Sequence, residues 1–406
     1  MSTIVPRPSR RNLRGYAVDP GLSTNLSTLA VNELVYSVRW EDLKPRGKDS
    51  TDTGASYPIG EYLEIVDYDP ASKLFYEPIN LDDPHLLAQQ GLAPSIGNPQ
   101  FHQQMVYAVI MTTIENFEKA LGRKIQWADK IASAEVHTSG EQRNPIPFEY
   151  VKRLRVYPHA LRQPNAYYDP EKKALLFGYF RSTPTDVSLQ LPGSTVFTCL
   201  SHDIIAHETT HAILDGLHRR YINATNPDTR AFHEAFSDIV ALFQHFTFPE
   251  LLKHQIAKTR GDLGQQNILG QLAQEFGQAI GGYGSLRDAI GEPDENGVWQ
   301  PHEPDPAEYR TTMSFHARGS ILVAAVFDAY LTIYQHRIQR VLRIASGGSG
   351  ILPEGELHPD LVEQLAKYAS ESAQDVLQMC IRALDYCPPM DITFGCLLYT
   401  SDAADE

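Results

Sequence analysis

The five residues HETTH at positions 207–211 constrain this chain more than any other feature of its sequence. Two histidines four residues apart share one face of an α-helix, so both imidazoles can reach a single metal ion at about 2.0–2.1 Å. The intervening Glu208 projects about 100° away from His207, which places its carboxylate beside such a metal rather than on it. Apolar neighbours such as Ile205 and Ile213 predict that this helix is packed in a core.

A catalytic zinc site with an open position needs a third protein ligand. The segment 233–238, HEAFSD, offers the strongest candidate for this third ligand. Its Glu234 lies on a second helical pattern, at a position on the inward-facing side of that helix. Asp238 lies one turn further on and can accept the free N–H of a ligand histidine, which we expect to be His207. His233 remains an alternative third ligand. The motifs therefore predict zinc ligands His207, His211 and Glu234, with Glu208 as a general base.

Composition narrows the class of protein. The chain has 406 residues with 35 basic and 50 acidic side chains, a net charge of −15, which argues against a nucleic-acid partner. We find no run approaching the roughly 18 apolar residues that a membrane helix needs, and no signal peptide. Four cysteines at positions 199, 380, 387 and 396 form neither a metal-type pair nor a disulfide framework, which favours a reducing, cytoplasmic location. The sequence leaves the oligomeric state open.

Local patterns divide the chain into four parts. Residues 1–97 read as short strands and loops; 98–195 contain a long helix at 101–122 and a hairpin-like pair around Asp169; 196–395 are mainly helical. The window 195–222 reads as one long helix and 229–246 as a second. A segment rich in proline and glycine, 281–310, is a candidate lid.

Both ends of the sequence carry separate expectations. The early arginines, including Arg10, Arg11 and Arg14, predict a solvated tail. The stretch 396–406, CLLYTSDAADE, resembles the translation of a sequencing-library adapter read through from a gene fragment. We therefore expect it to be an artefactual tail and leave it out of the fold prediction.

The windows HDIIAHETTHAILDG and HEAFSDI together resemble the thermolysin-like zinc metallopeptidases, the gluzincins, in a divergent bacterial-type form. The match runs from about residue 99 to 395 and is specific at the zinc motifs. The segment PNAYYDPEKKALLFGYF is similar to the family's substrate-binding edge strand and its neighbour. MSFHARGSILVAAVFDAY resembles the segment that carries the family's second active-site histidine.

This resemblance implies roles for further residues. Asn165 and Ala166 stand where the family binds the substrate backbone, and His316 matches the second active-site histidine. Tyr221 is the nearest match to the family's tyrosine, so His316 and Tyr221 would stabilise the oxyanion. One zinc ion per chain and a peptide or protein substrate are implied as well.

The chain also departs from the family pattern. Thr311 stands where the family has an aspartate that orients the second histidine; Asp305 or Glu308 are possible substitutes. Asp203 matches one ligand of the family's calcium cluster, but an expected acidic position carries Gln244 and His245. We therefore predict no structural calcium there.

The fold expected from these features is α+β and two-lobed, with a strand-rich N-terminal lobe, a mainly helical C-terminal lobe and zinc in the cleft between them. The function expected is a zinc metalloendopeptidase. Two alternatives stay open: a zinc-binding protein on a peptidase scaffold with little turnover, and a metallohydrolase of another small substrate, such as an aminopeptidase.

Overall fold

The computed structural model describes residues 8–43, 58–131, 148–184, 187, 191–281, 287–288, 291–293, 299–301 and 306–403. Much of the predicted lid at 281–310 and the last three residues of the tail therefore lie outside the described residues.

The described part of the chain contains eleven α-helices: α1 (Leu26–Asn32), α2 (Pro84–Ala88), α3 (Pro99–Leu121), α4 (His202–Leu217), α5 (Pro227–His245), α6 (Pro249–Thr259), α7 (Gln274–Ala279), α8 (Pro306–Thr311), α9 (Phe315–Ala345), α10 (Pro359–Ala383) and α11 (Phe394–Ala403). Its strands are β1 (Arg10–Tyr16), β2 (Glu33–Arg39), β3 (Leu63–Ile65), β4 (Tyr68–Asp69), β5 (Leu74–Phe75), β6 (Lys130–Ile131), β7 (Phe148–Glu149), β8 (Leu154–Leu161), β9 (Ala166–Asp169), β10 (Ala174–Arg181), β11 (Thr195–Phe197), β12 (Gln271–Leu272), β13 (Arg287–Asp288), β14 (Gly291–Pro293) and β15 (Trp299–Pro301).

The main sheet has the order β11-β10-β8-β3, and β9 pairs with β10. β8 runs parallel to β10 and β3, whereas β9 and β10 form an antiparallel hairpin with Asp169 opposite Ala174. The hairpin predicted around Asp169 is thus confirmed. Among the described strands β9 pairs with β10 alone, so its other edge is open to a further strand.

The long helix predicted at 101–122 is confirmed as α3. The Asn98 side chain caps its first turn by accepting from the N–H of Gln100, and Pro99 fits the position after the cap because its N–H would have no partner there. Gly122 ends the helix at φ 66°, a left-handed conformation that glycine adopts without a Cβ clash. Most of α3 is buried, so it forms the centre of the molecule rather than a surface helix.

The prediction of one helix across the window 195–222 is wrong. Val196 lies in β11, a 3-10 turn follows at Thr198–Leu200, α4 begins at His202, and a second 3-10 turn covers Arg219–Ile222. Val196 and Phe197 pair with β10, a contact that helical periodicity in the sequence cannot reveal. Their β-branched and aromatic side chains suit that pairing.

The prediction of a solvated arginine tail is also wrong. Arg10, Arg11 and Arg14 lie in β1, which pairs with β2 over its whole length. The Arg11 side chain is buried, forms an ion pair with Asp82 and stacks its guanidinium over the Trp40 ring. Long cationic side chains can bury their stems when the charged end finds a partner, which a charge pattern alone does not indicate.

The coarse fold prediction is confirmed, since a strand-rich N-terminal region precedes a mainly helical C-terminal region. One hydrophobic cluster runs through both, from Leu13 to Leu397. α11 crosses the predicted boundary of the tail at 396, and Leu397 on it is buried.

One described helix, α9, is long and apolar enough to cross a membrane by length and composition. It packs against α5 and α10, and core helices meet the same criteria. The absence of a membrane span stays a prediction.

Candidate metal centre

Helix α4 presents His207 and His211 side by side. Their Nε2 atoms lie 3.0 Å apart, and the two rings meet edge to face. The flanking residues Ile205 and Ile213 are buried, which fixes the helix in the core and leaves the histidine face toward the cleft. The i, i+4 spacing therefore produces the convergence that the motif predicted.

Helix α5 brings Glu234 to the same point. Its Oε2 lies 3.4 Å from His207 Nε2 and its Oε1 lies 3.6 Å from His211 Nε2. One ligand atom from each of the three residues fits within 4.8 Å of the others. Two imidazole nitrogens and a carboxylate oxygen are a donor set that suits a divalent ion such as zinc.

The far side of His207 is held by Asp238. His207 Nδ1 donates to Asp238 Oδ1 at 2.8 Å, since an ionised carboxylate only accepts. In a neutral imidazole this leaves the lone pair on Nε2, which faces Glu234 and His211. The residues thus fit a bound cation, and the carboxylate makes the imidazole a stronger ligand.

The far side of His211 is held by two residues of α5. His233 Nδ1 lies 2.8 Å from His211 Nδ1, and Ser237 Oγ lies 3.2 Å from it. Burial lowers the pKa of His233 to about 4, so its ring is neutral at pH 7. His233 therefore contacts the nitrogen of His211 that points away from Glu234, which makes it an orienting residue in this structure.

Electrostatics keep Glu234 ionised. Burial by itself would raise the pKa of this carboxyl group, but the neighbouring imidazoles of His207, His316 and His211 hold it well below its usual value. An anionic carboxylate is the form that binds a cation. The three predicted ligands are thus brought together in states suited to one metal ion.

Glu208 lies beside the triad and faces the edge strand. It is largely buried, and its Oε2 accepts from the backbone N–H of Tyr168 on β9 at 2.9 Å. Tyr168 was not singled out in the sequence. The N–H groups along the open edge of a strand can donate to any acceptor that packs there. The tertiary contact, and not the sequence, therefore identifies Tyr168 as the donor to Glu208.

The first turn of α9 brings His316 to the site. Its Nδ1 lies 3.2 Å from Glu234 Oε2, and about half of its side chain is exposed. Thr311 does not replace the expected aspartate, because its hydroxyl donates to the carbonyls of Ala307 and Glu308 within α8. Asp305 lies outside the described residues.

Tyr221 lines the same cleft as the other predicted groups, but its hydroxyl has a partner in the backbone. It is fully buried, stacks on His218 and donates its hydroxyl to the carbonyl of Pro388 at 2.6 Å. The structure thus engages this hydroxyl with the backbone after α10. Its role toward an oxyanion stays a prediction.

One cleft of about 490 Å³ contains these groups together with the predicted substrate strand. Asn165 and Ala166 line it together with the candidate metal ligands. Apolar side chains line another part of the wall: Ile204, Ala241, Leu272, Phe276 and Phe315. A cleft in which polar groups converge beside an apolar wall is typical of a ligand site.

Asp203, at which no structural calcium was predicted, lies in a second histidine–carboxylate cluster. Asp203 Oδ1 accepts from His245 Nε2 at 2.5 Å and lies 3.3 Å from His202 Nδ1, while its Oδ2 accepts from the N–H of Ala273. Although burial opposes a charge, Asp203 raises the pKa of His245. Calcium prefers a shell of six to eight oxygens, whereas this cluster presents imidazoles.

No protein-family model matches this chain, and no curated protein matches it significantly. The site must therefore be interpreted from its own geometry and from the motif resemblance.

Proposed function

We propose that this protein is a zinc-dependent, thermolysin-like metalloendopeptidase that hydrolyses peptide bonds in extended chains. The observation that carries the proposal is the position of Glu208. Its carboxylate stands between a convergent His207–His211–Glu234 donor set and the open edge of β9 in one cleft. A purely structural zinc site has no use for a carboxylate in that position.

When bound, zinc would supply a Lewis acid that activates water and polarises the substrate carbonyl. His207, His211 and Glu234 would hold it. Glu208 then accepts a proton from the attacking water and returns it to the leaving amine nitrogen. His316, exposed at the mouth of the cleft, would donate to the oxygen on which negative charge develops.

The edge of β9 would position the substrate. An extended peptide can add to an open strand edge through main-chain hydrogen bonds. Asn165 and Ala166 would bind the peptide backbone, and the apolar wall of the cleft favours an apolar residue just after the cleaved bond. Release of single N-terminal residues only would favour an aminopeptidase instead.

The test is Glu208→Gln, which keeps the size of the side chain and removes the base. We expect zinc content to stay near one ion per chain at this site and peptide hydrolysis to fall by about 10³-fold or more. Glu250→Gln, a change at an exposed side chain on α6, is the matched control and should cleave normally. Loss of zinc in Glu208→Gln would show that Glu208 is a ligand and not the base.

A second candidate is a zinc-binding protein with little turnover. Two features favour it. The Tyr221 hydroxyl already donates to the carbonyl of Pro388, and Thr311, in α8, stands where the family has the aspartate that orients its second histidine. Zinc-loaded wild-type protein that fails to cleave a library of unfolded peptides would support this candidate over the peptidase.

A further inference from the structure

A separate cluster of three metal-ligating side chains lies in the core, outside the residues that line the cleft. His102 comes from α3, His159 from β8, and Cys199 from the 3-10 turn just before α4. All three are buried, and their ligand atoms lie within 4.8 Å of one another. Cys199 is a free cysteine.

Hydrogen bonds to acceptors fix both imidazoles. His159 Nδ1 donates to Asp67 Oδ1 at 2.6 Å, and His102 Nε2 donates to the backbone carbonyl of Ile96 at 2.9 Å. A carboxylate and a carbonyl can only accept, so the proton of each neutral ring lies on the nitrogen that points away from the other ring. The Asp67 carboxylate is held in turn by Gln103, whose amide donates to its second oxygen.

The two remaining nitrogens face each other. His102 Nδ1 and His159 Nε2 are 2.8 Å apart, and the fixed tautomers give each of them a lone pair directed at the other. Two lone pairs at this separation repel, and a buried acceptor without a donor is costly. A cation between the two nitrogens removes both problems.

We propose that His102, His159 and Cys199 form a second metal site that takes a thiophilic divalent ion of the zinc class. Imidazole nitrogen and thiolate sulfur are the ligands that such ions prefer. Donors at about 2.0–2.3 Å from a tetrahedral ion lie roughly 3.3–3.6 Å apart, so the rings need to separate by only about half an ångström.

Charge balance supports a divalent ion. Binding displaces the thiol proton of Cys199 to solvent, and the resulting thiolate together with the Asp67 carboxylate offsets two positive charges. The site then becomes neutral in the core, as burial requires. A single proton shared by the two rings would neutralise the negative charge of Asp67, but the adjacent Cys199 thiol would then take no part in the cluster.

The site would join three segments that are far apart in the sequence. α3, the strand β8 and the turn that leads into α4 would share one ion, which would anchor the base of the helix that carries His207 and His211. Its role would be structural, because three protein ligands in a closed core leave no path for a substrate.

The first experiment counts metal ions in the purified full-length chain. Wild type should hold about two zinc ions, and His211→Ala and Cys199→Ser should each hold about one. The double variant should hold almost none. A single zinc in wild type that Cys199→Ser retains would overturn the proposal, whatever the peptidase activity.

The second experiment identifies the ligand by spectroscopy. Cobalt-substituted wild type should show a thiolate-to-cobalt charge-transfer band in the near ultraviolet. A variant with Cys380, Cys387 and Cys396 all changed to serine should keep the band, and His211→Ala should keep it too. No such band in wild type would overturn the proposal and leave a proton between His102 and His159. Because this band is measured on the wild-type protein, the result does not depend on whether a Cys199 variant folds.

Discussion

At the scale of single residues, the proposed metal centre depends on groups that contact the far side of each candidate ligand. Asp238 fixes the proton of His207 on Nδ1, and His233 with Ser237 contacts the corresponding atom of His211. Each orienting group lies on α5, within one turn of Glu234. A single helix thus supplies one ligand and orients the other two.

Asp238→Asn should weaken zinc binding by about 10–100-fold, because an amide still accepts from His207 but no longer strengthens it as a ligand through charge. Competition with a chromophoric chelator measures the affinity. Asp360→Asn, at an almost fully exposed side chain on α10, is the control and should bind zinc as wild type does. Equal affinities in both variants would mean that Asp238 plays no part in the site.

His316→Ala should lower kcat by about 10²–10³-fold while zinc content and KM change little, since the group is proposed to act on the transition state. Steady-state kinetics on a cleaved peptide with metal analysis of the same sample separate these effects. Near-normal kcat would show that His316, which lacks an aspartate at position 311, contributes nothing to turnover.

At the scale of elements, the β9–β10 hairpin is fixed to α4. The Tyr168 hydroxyl and the Lys173 ammonium both contact Asp215 Oδ2 on α4, at 2.7 and 2.5 Å. Lys173 and Asp215 are both buried, so this ion pair is shielded from solvent. The distance between β9 and Glu208 is thereby set by side chains from both elements.

Gly178 on β10 allows the chain before β9 to approach closely. A Cβ at this position would lie 2.4 Å from the carbonyl oxygen of Gln163 and 2.5 Å from that of Asn165. Gly178→Ala should therefore displace the start of β9, raise KM about ten-fold and lower stability by about 1–3 kcal/mol. Gly97→Ala, where a Cβ meets nothing within 4 Å, is the matched control. Peptide kinetics and thermal melting test both, and an unchanged KM in Gly178→Ala would remove β9 from substrate binding.

At the scale of the whole molecule, the buried His245–Asp203 pair connects α4, α5 and the segment that follows α6. His245 Nδ1 donates to the carbonyl of Leu269, and Asp203 accepts from the N–H of Ala273. Burial opposes the charge, yet the neighbouring carboxylate raises the pKa of His245 above 6.5, so the folded chain binds this proton more tightly than the unfolded one.

The free energy of unfolding should therefore include a His245 contribution that is complete below about pH 6.5 and is lost as pH rises through the folded-state pKa. His245→Gln removes the titrating group, so its stability should fall less steeply than that of wild type above pH 6.5. Denaturant unfolding across this range measures the difference. Parallel curves for the two proteins would show that His245 is not charged in the fold.

The sequence by itself determined the local parts of this protein. The spacing of His207 and His211 on a helix, the Glu234–Asp238 pair one turn apart, the cap of α3 and the hairpin at Asp169 all follow from helix and turn geometry over a few residues. Periodicity did not reveal that Val196 pairs in a sheet or that Arg11 finds Asp82.

Tertiary structure alone decided contacts between distant segments. It placed the Tyr168 N–H on Glu208, directed the Tyr221 hydroxyl to Pro388, and brought His102, His159 and Cys199 together from three elements. The physical reason is that a local pattern specifies which face of an element is apolar, whereas the partner of a polar group depends on how the elements pack.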